Sequence, residues 1–156
     1  MVRNLRKTVW IAFLCGMAFG VCWGKENPAA KESATGRHAL NSRERRTVVA
    51  VALKSTALRR DQRDCSHLVH AVFERAGFPY AYAPSDDLYD GSIGFQRVSK
   101  PKPGDLIVWR GHVGIVIQPS EHAFFSFLRS GPAVDDYSSE YWASRGRPRF
   151  YRYLKN

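Results

Sequence analysis

Two side chains in this sequence are suited to covalent chemistry together, the thiol of Cys65 and the imidazole of His112. Cys65 directly follows Asp64, a good helix N-cap, and precedes an apolar pattern of helical period. A thiol in the first turn of a helix lies near the positive end of the macrodipole and near unpaired amides, and both favour the thiolate. His112 opens a strand-like run, His112 to Ile117, with Gly114 beside it leaving room for a ligand or another backbone. A thiol nucleophile needs a base in reach and a third group to orient that base. His67 and His70 are poorer bases, because they project from the Cys65 helix on its opposite, wetter face with Glu74. Those three residues have no second ligand cluster to join, so neither a metal nor a cofactor is expected.

The elements that must hold the pair follow from the same patterns. Between Asp64 and Gly77, the residues Leu68, Val69, Val72, Phe73 and Ala76 share one arc, and Cys65 projects into it. An earlier helix is predicted from Arg43 to Leu58, with Val48, Val49, Ala52 and Leu53 inward. Arg59 to Arg63 is a charged connection. Phe78 to Asp90 reads as an irregular loop or short helical turn over a site, with Tyr80 and Tyr82 available to a substrate groove. Gly91 to Phe95 and Gln96 to Val98 are weak strand candidates. Leu106 to Trp109, the turn Arg110-Gly111, and His112 to Ile117 form a hairpin pattern. Ala123 to Leu128 is a third strand whose one hydroxyl is Ser126. Arg129 to Pro132 breaks it, a loop with Tyr137, Tyr141 and Trp142 follows, and Phe150 to Leu154 reads as a final edge strand with a solvated basic face. No internal repeat and no glycine-rich phosphate loop is present.

A chain of 156 residues with 44% hydrophobic and 13% aromatic content supports one globular domain. Arg3, Arg6 and Lys7 precede an apolar run from Thr8 to Gly24, the layout of a secretory signal peptide and shorter than the about 20 residues a membrane span needs. The expected organisation is therefore a signal over residues 1–24, a flexible tether over 25–42, and a catalytic domain over 43–156. No stable span is expected after cleavage, and export leads to the periplasm, the cell envelope or the medium. Val21 stands before Cys22 where a lipoprotein signal has a small residue, which argues against a lipid anchor there. Loss of Cys15 and Cys22 with the signal leaves Cys65 alone, and in an oxidising compartment a solitary cysteine is more readily a nucleophile than half of a structural bridge.

The formal net charge is +10, and removing Arg3, Arg6 and Lys7 takes it to +7. That favours anionic partners. The arginines among Phe150, Tyr151 and Tyr153 fit a basic strand face better than a nucleic-acid platform, so no nucleic acid is expected.

The segment Asp64-Cys65-Ser66-His67-Leu68-Val69 resembles the Asp-Cys-Ser-Gly-Leu-Val motif of the NlpC-type, papain-like cell-wall cysteine peptidases. Pro103-Gly104-Asp105-Leu106 with His112-Val113-Gly114-Ile115-Val116 resembles their second motif, and the likeness covers roughly Thr47 to Leu154. It implies an α+β, papain-like fold, with N-terminal helices packed on a small antiparallel sheet. It also implies Cys65 as thiolate nucleophile, His112 as general base, a third polar residue on the next strand, and hydrolysis of amide bonds in peptidoglycan stem peptides. Strand alignment points to Ser126 for the third residue, with His122 as the alternative. The backbone amide of Cys65 is the expected oxyanion donor, and Asp64, Ser66, Tyr80, Tyr82 and Gly114 are the candidate substrate contacts. Two departures stand out, His67 at the motif glycine and Arg59 to Arg63 where a glycine-rich segment is common. The alternatives are a degenerate module that binds wall material without cutting it, and a Cys-His amidase or acyltransferase on another amide or a lipid.

Overall fold

The structure, a computed structural model, describes residues 36–55 and 64–155. The signal, residues 25–35 of the expected tether, and the arginine-rich connection all lie outside the described residues.

Among the described residues four α-helices and seven strands follow one another in chain order: β1 (His38–Ala39), α1 (Ser42–Lys54), α2 (Cys65–Arg75), α3 (Ser85–Asp90), β2 (Phe95–Val98), β3 (Leu106–Trp109), β4 (His112–Gln118), β5 (Ala123–Leu128), β6 (Gly131–Asp136), α4 (Glu140–Ser144) and β7 (Arg149–Lys155). The strands form an antiparallel sheet in the order β1-β7-β3-β4-β5-β6, with β2 also paired to β7. This is an α+β architecture of the papain-like kind, with Cys65 on a helix.

Residue alternation assigns the two faces of the sheet. Leu106, Val108, Val113, Ile115 and Tyr151 face α1 and α2, where they bury Val48, Ala52, Leu68, Val69, Val72 and Phe73. Ile107, Trp109, Val116 and Phe124 face the other way and pack with Trp142 of α4. Burying such side chains contributes about 1.5–3 kcal/mol each before conformational entropy is counted, so the larger helix-side cluster anchors α2 and its first residue.

Caps and ion pairs set the helix ends. Asn41 accepts from the amides of Arg43 and Glu44, and Glu44 Oε2 accepts from the Asn41 amide, a complete capping box. Glu44 also pairs with Lys155, tying α1 to β7. Below the sheet, buried Asp105 accepts from both Nε and a terminal nitrogen of Arg152, at 3.0 and 2.8 Å. That pair fixes the turn leading into β3.

Several expectations need correcting. Residues 38–42 belong to the fold, because β1 pairs with the end of β7 and Leu40 is buried; the tether does not extend to residue 42. Leu53 is half exposed, and Val51 rather than Leu53 completes the inner stripe of α1. Within the described residues α1 ends at Lys54. β7 is not an edge, since β2 and β3 pair with the same stretch of it, Phe150 and Tyr151, from opposite sides. β6 is an edge instead, as is β2, and β6 pairs with β5 along its whole length although Gly131-Pro132 reads as a break. Gly131 adopts φ 104° at the turn, and Pro132 is tolerated because an edge strand has no ladder partner on its outer side. The loop before β7 contains the short helix α4.

Candidate active site

Asp64 organises the start of α2. Its Oδ1 accepts from the His67 amide at 2.9 Å, its carboxylate also bonds the Ser66 amide, and its carbonyl accepts from the Leu68 amide. Burial pushes the Asp64 carboxyl up, but the bonds from His67 and Ser66 outweigh it and hold the group below its ordinary value. The first-turn amides are thereby satisfied one by one. Of the first-turn amides of α2, that of Cys65 has no acceptor among the described residues.

The Cys65 side chain is half-buried and lies close to the Val113 main chain of β4 and to the Ser66 hydroxyl. Burial dominates and raises the thiol above its ordinary value, while the nearby Val113 main chain and Ser66 work the other way. Ser66 is 5% exposed and serves the thiol, so it is not open to a substrate.

His112, the residue before Val113, lies on the opposite face of β4 from the α2 core. Its Nε2 is 2.9 Å from Ser126 Oγ, and Ser126 Oγ donates to the Val113 carbonyl at 2.6 Å. A hydroxyl has a single proton. With that proton spent on Val113, Ser126 can only accept from His112, so Nε2 carries the imidazole hydrogen and Nδ1 keeps a free lone pair. Ser126 is fully buried. The ring is covered by Trp142, whose ring centre is 4.7 Å away with a 40° tilt. Burial first, and the Arg145 cation second, push the His112 pKa down to about 4. At neutral pH the resting site therefore holds a neutral thiol and a neutral imidazole.

The alternative third residue, His122, is elsewhere. It caps a 3-10 turn (Pro119–Glu121) at φ 55° and sets its ring against Tyr137, 5.1 Å away. β4 and β5 run antiparallel, so His122 lies beyond the Gln118 end of β4, about 20 Å along the strand from His112.

The remaining sequence candidates divide. Tyr82 is 46% exposed and lies close enough to Asp64 and Cys65 for both to raise its hydroxyl pKa after burial. It stands at the rim of the thiol. Tyr80 is instead packed among Phe73, His70 and Phe95, with its buried hydroxyl unpartnered among the described residues. Gly114 meets no open space. A Cβ there would lie 2.5 Å from Phe124 Cδ2 and 2.8 Å from the Phe125 carbonyl, so β5, not a ligand, makes the close approach.

His67 and His70 are only partly wet, with 33% and 19% of their side chains exposed. Nδ1 of His67 is 2.5 Å from Asp64 Oδ2, and its ring stacks on Tyr82 at 4.5 Å. His70 Nε2 donates to the Tyr80 carbonyl at 3.0 Å. The segment carrying Tyr80 and Tyr82 folds back over this side of α2, which helical period alone does not reveal. Glu74 stays outside, 3.7 Å from His70 Nδ1, and among the described residues no group of three potential ligands gathers.

Sequence reasoning missed the surroundings of the imidazole. Trp142 is 2% exposed, donates from Nε1 to Asp135 Oδ2 at 2.7 Å, and carries Arg145 over its ring at 5.6 Å. α4 has five residues, too few to display a helical period, so the one available signal was a tryptophan set between Tyr141 and an arginine.

Residues 53–147 match the model of the NlpC/P60 family. No curated protein matches the chain.

Proposed function

The chain belongs to the NlpC/P60 family, and on that premise we propose that it is an exported cysteine peptidase that hydrolyses amide bonds in peptidoglycan stem peptides. The family is one of cell-wall peptidases and hydrolases. The observation that carries the reading is the Ser126–His112 bond, which leaves Nδ1 as the basic nitrogen one residue from the Val113 main chain that Cys65 approaches.

In the proposed reaction His112 Nδ1 takes the Cys65 proton as the sulfur attacks the amide carbonyl. The oxyanion forms beside the unclaimed Cys65 amide at the start of α2, where the helix dipole adds to the attraction. The C–N bond then breaks, and the departing nitrogen takes the proton from the imidazolium. Water hydrolyses the thioester with His112 again as base. Ser126 holds the ring through both halves, and Trp142 keeps water off the Ser126–His112 bond.

Because burial disfavours both charged forms, thiolate and imidazolium arise together on attack and not in the resting enzyme. The N-terminal basic and apolar pattern supports export, and the net positive charge supports attraction to a carboxylate-rich wall polymer. Digestion of purified peptidoglycan with the protein, followed by mass spectrometry of the soluble products, tests the reading. Fragments with newly freed stem-peptide amines are expected. Sedimentation of the intact protein with the wall and no fragments would mark a binding module instead.

A further inference from the structure

Beside His112 lies a groove of about 370 Å³ whose walls include Leu128, Arg129, Asp135, Tyr141 and Trp142. Its place relative to the imidazole assigns it a role. The proton that His112 takes from sulfur must later reach the departing nitrogen, so the amine half of a bound amide lies against His112. The groove begins there.

The body of the groove is apolar and its unmatched charge is positive. Leu128 and the Trp142 indole supply the flat and aliphatic surface. Arg129 is exposed in its wall, Arg145 is exposed just outside it, against the wall residues Trp142 and Tyr141, and among the described residues neither has a carboxylate partner. Arg145 lies over Trp142 and gives its terminal nitrogens only to neutral oxygens, the Arg110 carbonyl at 3.3 Å and the Tyr141 hydroxyl at 3.5 Å. The one acid in the wall, Asp135, is engaged at both oxygens, accepting from Trp142 Nε1 at 2.7 Å and from the Asp136 amide at 2.8 Å.

We infer that this groove is the leaving-group subsite, and that Arg145, assisted by Arg129, makes the enzyme select amides whose departing amine carries a carboxylate. The inference rests on the hydrolase reading above and adds the chemistry of the product that leaves first. A carboxylate paired with Arg145 does more than anchor the substrate. The Arg145 cation stands against the imidazolium that must form, second to burial, and a bound carboxylate offsets that charge as the thiol proton moves to Nδ1. Arg145 is thus a specificity residue that also restrains the base until a matching substrate fills the groove.

Two synthetic stem peptides provide the test, identical except that the residue released by cleavage ends in a carboxylate in one and a carboxamide in the other. Their kcat/KM values are compared in the wild type, Arg145→Gln and Arg129→Gln. The wild type is expected to favour the carboxylate peptide about fivefold, the scale of one partly exposed ion pair, and Arg145→Gln to bring the ratio close to one. The ratio cancels any general loss that Arg145→Gln causes at His112. Equal cleavage of both peptides by the wild type, or a ratio unmoved in both variants, overturns this inference while leaving the hydrolase reading intact. Cleavage of neither peptide, with peptidoglycan also left intact, overturns both.

Discussion

Ser126 Oγ sits 2.9 Å from His112 Nε2 while giving its only proton to the Val113 carbonyl. A residue that an alignment places in the third catalytic position through strand register alone thus has a definite consequence, the tautomer of the base. A serine can do this work because a main-chain carbonyl is in reach to take its hydrogen. Without Val113, the hydroxyl could donate to Nε2 and shift the imidazole hydrogen to Nδ1, the nitrogen needed as base.

Ser126→Ala removes the acceptor and leaves Nε2 free to take either tautomer. The expected result is a loss of about tenfold to a hundredfold in kcat, at or below the roughly hundredfold lower end of what a positioned base contributes, since the base itself remains, with KM little changed. Steady-state kinetics alongside a thermal melt separates this from simple unfolding.

The acid side of the pH profile follows from His112. Its unprotonated form is the base, and burial together with Arg145 pushes its pKa down to about 4. Activity should therefore persist down to about pH 4 and fall only below it, provided the fold survives. Arg145→Gln removes the second cause while burial remains, so the acid limb should move up, toward the ordinary histidine value without reaching it. A pH series of kcat/KM on the carboxamide peptide measures both limbs.

Gly114→Ala tests the close approach of β5 to that residue. The added methyl would fall within 2.5 Å of Phe124 Cδ2, inside the packed face shared by Trp109 and Trp142. Overpacking of this kind costs about 1–3 kcal/mol, visible as a lower urea midpoint. A variant as stable as the wild type, with weakened substrate binding, would return Gly114 to the substrate groove.

How far the site was legible depended on how local its signals were. Asp64, Cys65 and the apolar stripe to Ala76 lie within one helix, and a cap and a 3.6-residue period identify such an element directly. His112 and Ser126 follow from two short strands whose alternation places them on one face. The neighbours of those residues follow from no such local rule. His67 and His70 were assigned to solvent by helical period, yet Tyr80 and Tyr82 return over them from ten or more positions downstream. Trp142 reaches His112 from a helix too short to announce itself, and β6 begins with the Gly131-Pro132 pair that ordinarily ends structure. The arginines of β7 suggest the solvated face of an edge strand, whereas Arg152 is largely buried against Asp105 and Arg149 lies over the Tyr89 ring.

Asp105→Ala addresses the fold apart from the chemistry. It would leave Arg152, 16% exposed, without its carboxylate and release the Lys102 amide that Asp105 also accepts. Breaking a buried pair from one side costs about 3–5 kcal/mol. Chemical denaturation should show a loss of that order, larger than for Arg110→Ala at the exposed Asp90 pair.

The most direct test of the central claim is the release of stem-peptide amines from purified peptidoglycan by the wild type and by Cys65→Ala at equal concentration, with folding of both checked by circular dichroism. The account predicts steady release by the wild type and none above the no-enzyme blank by the folded variant. Equal release by the two proteins would contradict it, because the amide would then be cut without the thiol.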